Sequence, residues 1–516
     1  MFPSMLKLAV LMSAFASSAI SSKPSLNTTV PVFNPPGDGL FPVPHPSLSY
    51  WLQGVRSKPL LNHRTTENLP QTADVVVIGS GMSGSLVAYE LLKEDPSRKV
   101  VILEARETCS GATGRNAGHC KPDQWRGYSK YEKKFGSEQA KKILDNEWET
   151  YSRLVDFVRK EQIDADMWLG DTLDVAMTAE IAQAGISEFE AYARAGGNVS
   201  RVQMITDKAE AARISRIKGA EAVWRWPATT FYPWKVVAHI LESALALGLN
   251  LQTHTRVTSV TRAASSASGK PLWSVNTQDR GSIVTPTVVH ATNAFAGTLL
   301  PLLKDNISPT AFICTKVVPP PSFSGSKALQ NSYGVLMPGG ALFSINPRTS
   351  TDGVILFGGD NPGQPQLDKL LEEHPELAGD DRLGPFKPIS DAVVEFAERE
   401  FDGWGKFEDM SVGEGVDYSW SGVLGISKDG VPYVGKVPGL EGNWVIAGHN
   451  GHGMARIFTA APSLAYLISH PTEPFAATGL PDVYELTETR LQGLASASEV
   501  ESPFPPHPDT AFTVQN

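Results

Sequence analysis

A run of β-branched and small residues, Ala73 to Ile78, leads without a break into Gly79-Ser80-Gly81-Met82-Ser83-Gly84. A short apolar run closed by glycine is how a parallel strand buried on both faces reads in sequence. Residues 85–92 have helical character, and residues 100–103 supply a second apolar strand. Strand, glycine turn, helix and strand within roughly 30 residues make a βαβ unit. Each glycine then has a distinct part: Gly79 permits the tight turn, Gly81 lets a pyrophosphate approach the backbone, and Gly84 permits close helix–strand packing. The helix opening through Met82 and Ser83 offers unpaired N–H groups and a positive dipole end to phosphate. Glu104 ends the second strand, followed by Ala105 and Arg106, at the spacing where an acidic side chain bonds a ribose hydroxyl pair. The segment is expected to bind a dinucleotide. The glycine pattern alone does not choose between FAD and NAD.

The choice rests on the next residues. Cys109 to His119 read CSGATGRNAGH, a loop of glycine and small polar groups directly after the acidic strand. A nicotinamide dehydrogenase would move straight into its next helix. This loop suits close passage of the backbone around a flavin and its ribityl chain, with Gly111, Ala112, Thr113, Asn116 and Gly118 at the approach. Arg115 faces a phosphate or the flavin, or else is a surface arginine. Far along the chain, Gly448-His449-Asn450-Gly451-His452-Gly453-Met454 precedes a helix-like stretch to about residue 468. Its glycines let backbone N–H groups and the helix dipole approach the pyrimidine end of a flavin, which becomes anionic on reduction. Two histidines there invite a metal or acid–base role, but His452 reads first as a loop residue packed near the flavin.

Taken together, ADVVVIGSGMSGSLVAYELL, VVILEAR, SGATGRNAGH, VVHATNAFA and SGVLGISKDGVPYVGKVPGLEGNWVIAGHNGHGM resemble the D-amino-acid-oxidase-like superfamily of FAD-dependent oxidoreductases, which includes sarcosine, glycine and polyamine-type oxidases. The blocks fall in the family's order across most of residues 73–468. The resemblance implies an α/β fold with α+β character, in which a Rossmann-like FAD-binding domain (71–125, 226–310 and 405–470) is interleaved with a mixed-sheet substrate domain (126–225 and 311–404). It also implies FAD contacts from Ala291, Thr292 and Asp429, and Val257 is assigned to the same set. Where the family usually has Ala-Thr-Gly, this chain has Asn293, which leaves that local contact open. The implied reaction takes a small amine or amino-acid-like substrate, passes hydride from the carbon beside nitrogen to flavin, and uses dioxygen as acceptor. No cysteine matches a covalent-attachment motif, so non-covalent FAD is expected. The alternatives are a flavin dehydrogenase or biosynthetic tailoring oxidase on another substrate, and a flavin-binding protein without turnover.

Substrate-facing candidates are His119 at the end of the flavin loop, Trp420 with Tyr418 as an aromatic wall, and Arg348 as a clamp for a carboxylate. Composition narrows the partners. A net charge of −10 with no cluster of Lys and Arg argues against nucleic acid. Three cysteines, Cys109, Cys120 and Cys314, are neither a disulfide framework nor a zinc pattern; a Cys109–Cys120 bridge is conceivable, but thiols are preferred. Residues 1–19 have the order of a secretory signal peptide, too short to span a bilayer, and no other run is long enough. Secretion and glycosylation at Asn27, Asn198 or Asn306 are therefore expected. The Pro- and Ser-rich residues 20–70 read as an extended arm anchored by Tyr50 and Trp51, and 471–516 as a tail, mobile after about residue 490.

Overall fold

The computed structural model describes residues 40–263, 269 and 271–496. The expected leader, Asn27 and the end of the tail beyond Ser496 lie outside them.

Val75–Ile78 forms a strand buried on both faces. Val75 and Val77 point into one apolar cluster and Val76 and Ile78 into another, the period of two expected of a strand. The first cluster is closed by the helices Met82–Glu94, Pro233–Ala246 and Ile457–Ser469. The second is closed by a three-stranded antiparallel sheet of Val257–Arg262, Trp273–Thr277 and Ser282–Thr285. The strand lies inside a six-stranded sheet whose order runs Tyr433–Lys436, Asn443–Ala447, Thr287–His290, Val75–Ile78, Val100–Leu103, Asn250–Gln252. All neighbours are parallel except the pair at the Tyr433–Lys436 edge. The glycine turn therefore leaves the carboxyl end of a central parallel strand, where open α/β sheets bind ligands.

A nine-stranded mixed sheet faces this unit. Its middle strands, Leu342–Pro347, Ile355–Gly359, Ser332–Leu336 and Trp168–Ala176, rest their outer side on the helices Lys387–Glu400 and Lys208–Ser215 through Val393, Phe396 and Ala211. The inner side floors a cavity.

Several expected boundaries move. The segment 405–427 was assigned to the FAD domain, but Gly415–Ser427 pairs along its length with Ile307–Val318 in the nine-stranded sheet. That strand touches the flavin loop, which is why it reads as cofactor-binding in sequence. Residues 226–230 likewise complete Ala222–Thr230 in the same sheet. Residues 250–262 form two strands, Asn250–Gln252 and Val257–Arg262, in different sheets. Described parts of the arm and tail are packed. Ser49 caps the short helix Tyr50–Gln53, and Trp51, Leu52, Leu60 and Leu61 enter the core. Phe475, Leu480 and Tyr484 do the same from the other end. Proline and serine mark the absence of regular structure there; they say nothing against burial of the apolar anchors between them.

Candidate active site

The glycine turn is held by contacts that only glycine allows. Gly79 has φ +107°, and a Cβ there would lie 2.7 Å from the Ala291 carbonyl oxygen. A Cβ on Gly84 would lie 2.0 Å from the Gly79 carbonyl oxygen. Thr113 of the second loop stands against the turn: its Oγ1 accepts from Met82 N at 3.1 Å, and a Cβ on Gly81 would meet it at 3.2 Å. Glu104 is oriented at both oxygens. Oε2 accepts from Ser80 N (3.0 Å) and Ser80 Oγ (2.7 Å), and Oε1 from Arg106 N (2.9 Å).

Beneath the CSGATGRNAGH loop lies a buried ion cluster. Asp381 Oδ1 is 2.9 Å from Arg106 Nη1, and its Oδ2 is 3.2 Å from Arg115 Nε. Arg115 also donates to the carbonyls of Ser110 (2.7 Å) and Ser421 (2.9 Å). Two guanidiniums share one carboxylate, so the trio carries net positive charge. Burial pushes the Arg115 guanidinium down to about 10, against the pull of Asp381. Arg115 Nη2 is buried without a partner.

One cavity of about 350 Å³ runs from the glycine turn past this loop and ends over the nine-stranded sheet. Most residues expected to bind the cofactor line it: Gly79, Gly81, Met82 and Ser83; Glu104, Ala105 and Arg106; Gly111, Ala112, Thr113, Arg115 and Asn116; Val257; Ala291, Thr292 and Asn293; and His449 through Met454. Asn293 explains its own departure from glycine. It sits at φ +46°, a left-handed conformation that asparagine tolerates, and its Oδ1 accepts from Gly448 N (3.0 Å) and His449 N (3.2 Å). The side chain thus ties the two cofactor loops together.

At the carboxyl-terminal loop, His449 Nε2 is 3.2 Å from Ser83 Oγ. His452 Nε2 lies 2.9 Å from Glu147 Oε2, which also accepts from Asp123 N at 2.8 Å, while Oε1 takes Arg456 Nε at 3.2 Å. Burial alone would raise the Glu147 carboxyl, but His452, Arg456 and the Asp123 amide hold it below its usual range. His119 faces the cavity with neither ring nitrogen bonded. Burial, with the charges of Lys121 and His452, pushes its pKa down to about 3. Burial and Arg456 do the same for His449, also to about 3.

Both imidazoles are therefore neutral in the folded protein, and they make it acid-labile. The unfolded chain takes up a proton at each near pH 6.5, the folded chain only near pH 3. Their contribution is whole above pH 6.5 and is lost as pH falls toward 3, by about 1.4 kcal/mol per pH unit for each histidine. Melting temperature is expected to fall steadily from pH 7 to pH 4, and His119→Gln is expected to flatten that slope. An unchanged slope in the variant would refute the assignment.

Not every expected residue reaches the cavity. Trp420 is fully buried behind the loop and donates Nε1 to the Arg115 carbonyl at 2.8 Å. It is a support, and Tyr418 does not line the cavity either. Arg348 is also buried away from the cavity, paired with Asp166 at 3.1 Å and lying over the Trp51 ring. Its position after Pro347 at a strand end suggested a clamp; the acid that claims it comes from 182 residues earlier. Asp429 is held by both sides of Arg490, at 2.7 and 2.9 Å, which pins the C-terminal segment. Gly84, Gly118 and Gly448 act by packing or turn geometry outside the cavity lining. All three cysteines are buried thiols.

Other lining residues carried no sequence signal. Phe41 and Pro42 come from the supposed arm, and Lys121 and Arg126 lie just past the flavin loop. Lys121 pairs with Asp174, and Arg126 with Asp123 and Asp174. Asp360 is contributed by the turn after Ile355–Gly359.

The glycine cradle, the oriented Glu104 and a buried guanidinium nitrogen without a protein partner fit a dinucleotide with an anionic bridge, and the second sheet closes the far end. Such a site defines an FAD-dependent oxidoreductase. A family model described as "FAD dependent oxidoreductase" (DAO) matches residues 74–467, and the chain belongs to this family. Among curated proteins it is similar to the "Probable oxidoreductase OrdL" of Rhizobium meliloti, 21% identical over 388 residues, 74% of this chain and 79% of the relative. Among solved structures its fold is similar to glycine oxidase from Geobacillus kaustophilus (TM-score 0.61, 19% identity, 81% of this chain and 99% of the other). L-proline dehydrogenase from P. horikoshii is similar too (TM-score 0.59, 17% identity, 81% and 97%).

Proposed function

We propose that the protein oxidises a C–N bond of a small amine or amino acid. The observation that carries this is the far end of the cavity. A row across the inner face of the large sheet pairs Asp174 with Gly334, Gly334 with Ser344 and Ser344 with Gly358. Of this row Gly334 and Ser344 line the cavity, with Leu342, Gly359 and Asp360 beside them, while Lys121 covers Gly334 and Cys314 covers Gly358. The same cavity is lined by His119, neutral and with its ring nitrogens buried. Burial of an amine in such a site favours its neutral form, the form whose neighbouring carbon can give up hydride. FAD, when bound, supplies the two-electron acceptor and returns the electrons to dioxygen as hydrogen peroxide. The nitrogen loses its proton, and water hydrolyses the resulting imine. The names of the similar folds, glycine oxidase and L-proline dehydrogenase, support C–N oxidation and leave two kinds of acceptor to compare.

Anaerobic addition of a panel of amines and amino acids to the holoenzyme is expected to bleach the flavin absorbance with at least one of them, and air is expected to restore it with peroxide. Bleaching without peroxide in air makes the enzyme a dehydrogenase. Flavin that no amine bleaches would refute C–N oxidation. For location, the leader-like N-terminus and the exposed Asn198 sequon support a secretory route; a mature protein that begins at Met1 and carries no glycan would refute it.

A further inference from the structure

Asp360 lines the far end of the cavity and is 5% exposed. Its Oδ2 is buried with no hydrogen-bond partner among the described residues. It stands in the turn just past Gly359, which ends the strand at φ +69°, and the turn brings it to the cavity lining. Its backbone N–H is spent on the Leu342 carbonyl at 3.0 Å. Burial, against a hydrogen bond from the Leu342 backbone N–H and with the nearby carboxylate Asp368 adding to it, pushes its pKa up to about 7. Four residues on, Gln364 is also buried. Its Nε2 donates to Asp368 Oδ1 at 2.8 Å, which fixes the amide and leaves Oε1 as a second acceptor without a donor.

The contrast with the acids that stand behind cavity-lining cations decides the matter. Asp174 is paired with Lys121 and Arg126, and Asp123 with Arg126. Glu147 is satisfied by His452 and Arg456. A buried carboxylate without a cationic partner costs several kcal/mol, and at Asp360 the Leu342 backbone N–H offsets only part of that cost. A cationic nitrogen entering the cavity would offset the rest.

Resting on the C–N oxidation above, we propose that Asp360 holds a second, non-reacting cationic nitrogen of the substrate, so that the preferred substrates are diamines or basic amino acids. The reacting nitrogen is the poorer candidate. It must lose its proton, and a carboxylate beside it would hold it charged. A terminal ammonium stays protonated throughout and can donate to the Asp360 carboxylate.

The test compares isosteres on the holoenzyme by anaerobic flavin reduction: lysine with 2-aminoheptanoic acid, and putrescine with pentylamine, a methyl group standing in for the second ammonium. The cationic member of each pair is expected to show a half-saturating concentration on the order of 30-fold lower, the worth of a buried charge pair. In Asp360→Asn that ratio is expected to collapse toward one, and in Asp360→Glu to recover in part. Asparagine keeps the shape and removes a buried charge, so the variant's flavin spectrum and melting temperature, expected unchanged or raised, establish that it is folded. Equal response to both members of each pair in the wild type would overturn the proposal while C–N oxidation stands, as would a ratio untouched by Asp360→Asn. No reduction by any of the four, nor by the wider amine panel, would overturn both.

Discussion

Replacing Gly84 by alanine is expected to yield a folded protein that no longer retains FAD. The added Cβ would stand 2.0 Å from the Gly79 carbonyl oxygen and 3.1 Å from Val77 Cγ1. The nearer atom is backbone, so no rotamer change relieves it, and the turn itself has to move. Gly79 cannot follow freely, because it is wedged at φ +107° against Ala291. Overpacking of this kind costs about 1–3 kcal/mol, sometimes more, and here it falls on the segment that shapes the phosphate cradle. Flavin affinity is expected to fall on the order of 100-fold. Equilibrium titration of the apoprotein with FAD, followed by flavin fluorescence, measures it. Wild-type affinity in Gly84→Ala would mean that helix and strand can separate without disturbing the cradle.

Asp381→Asn is expected to have the largest effect on stability. Asp381, Arg106 and Arg115 are 2%, 6% and 2% exposed. Removing the one carboxylate leaves two buried guanidiniums facing each other, and breaking a buried pair costs about 3–5 kcal/mol. Thermal unfolding of the apoprotein should show the loss. Adding Arg106→Met to Asp381→Asn removes the surplus charge and is expected to regain part of it, so the cycle separates charge from packing. Additive effects of the two changes would show that the cluster acts through shape alone.

How much of this was legible in the sequence depended on whether the signal was local. The Gly79–Gly84 turn, Glu104 and the Gly448–Met454 loop were readable because their chemistry demands particular residues at short spacing, and each lies at the cavity or packs its turn. Asp381 was not readable. Asp380-Asp381-Arg382 looks like a solvated charged turn, and its partners are Arg106 and Arg115, more than 260 positions away. Asp360 follows a strand end, where aspartate is an ordinary turn residue; only the folded chain shows that it lines the cavity. Trp420 and Arg348 failed in the opposite sense. Trp420 lies on a strand near the site and Arg348 just past the end of another, and sequence could not say which face the strand presents or which acid would claim the arginine. Asn293 looked like a lost glycine, yet its side chain does what a glycine could not.

The strand order has a consequence for how the protein is made. Val75 pairs on one side with Val100, but on the other with Thr287, and Val288 in turn pairs with Asn443. A ribosome that has delivered the first βαβ unit has delivered only one flank of its sheet. The other flank arrives some 200 and then 350 residues later, and closing contacts over such separations is what slows folding. Until then the apolar side chains of Val75–Ile78 and the edges of that strand are unprotected, the condition in which large chains aggregate or need chaperones. The cofactor cradle, first in the sequence, is among the last parts of the molecule to be finished.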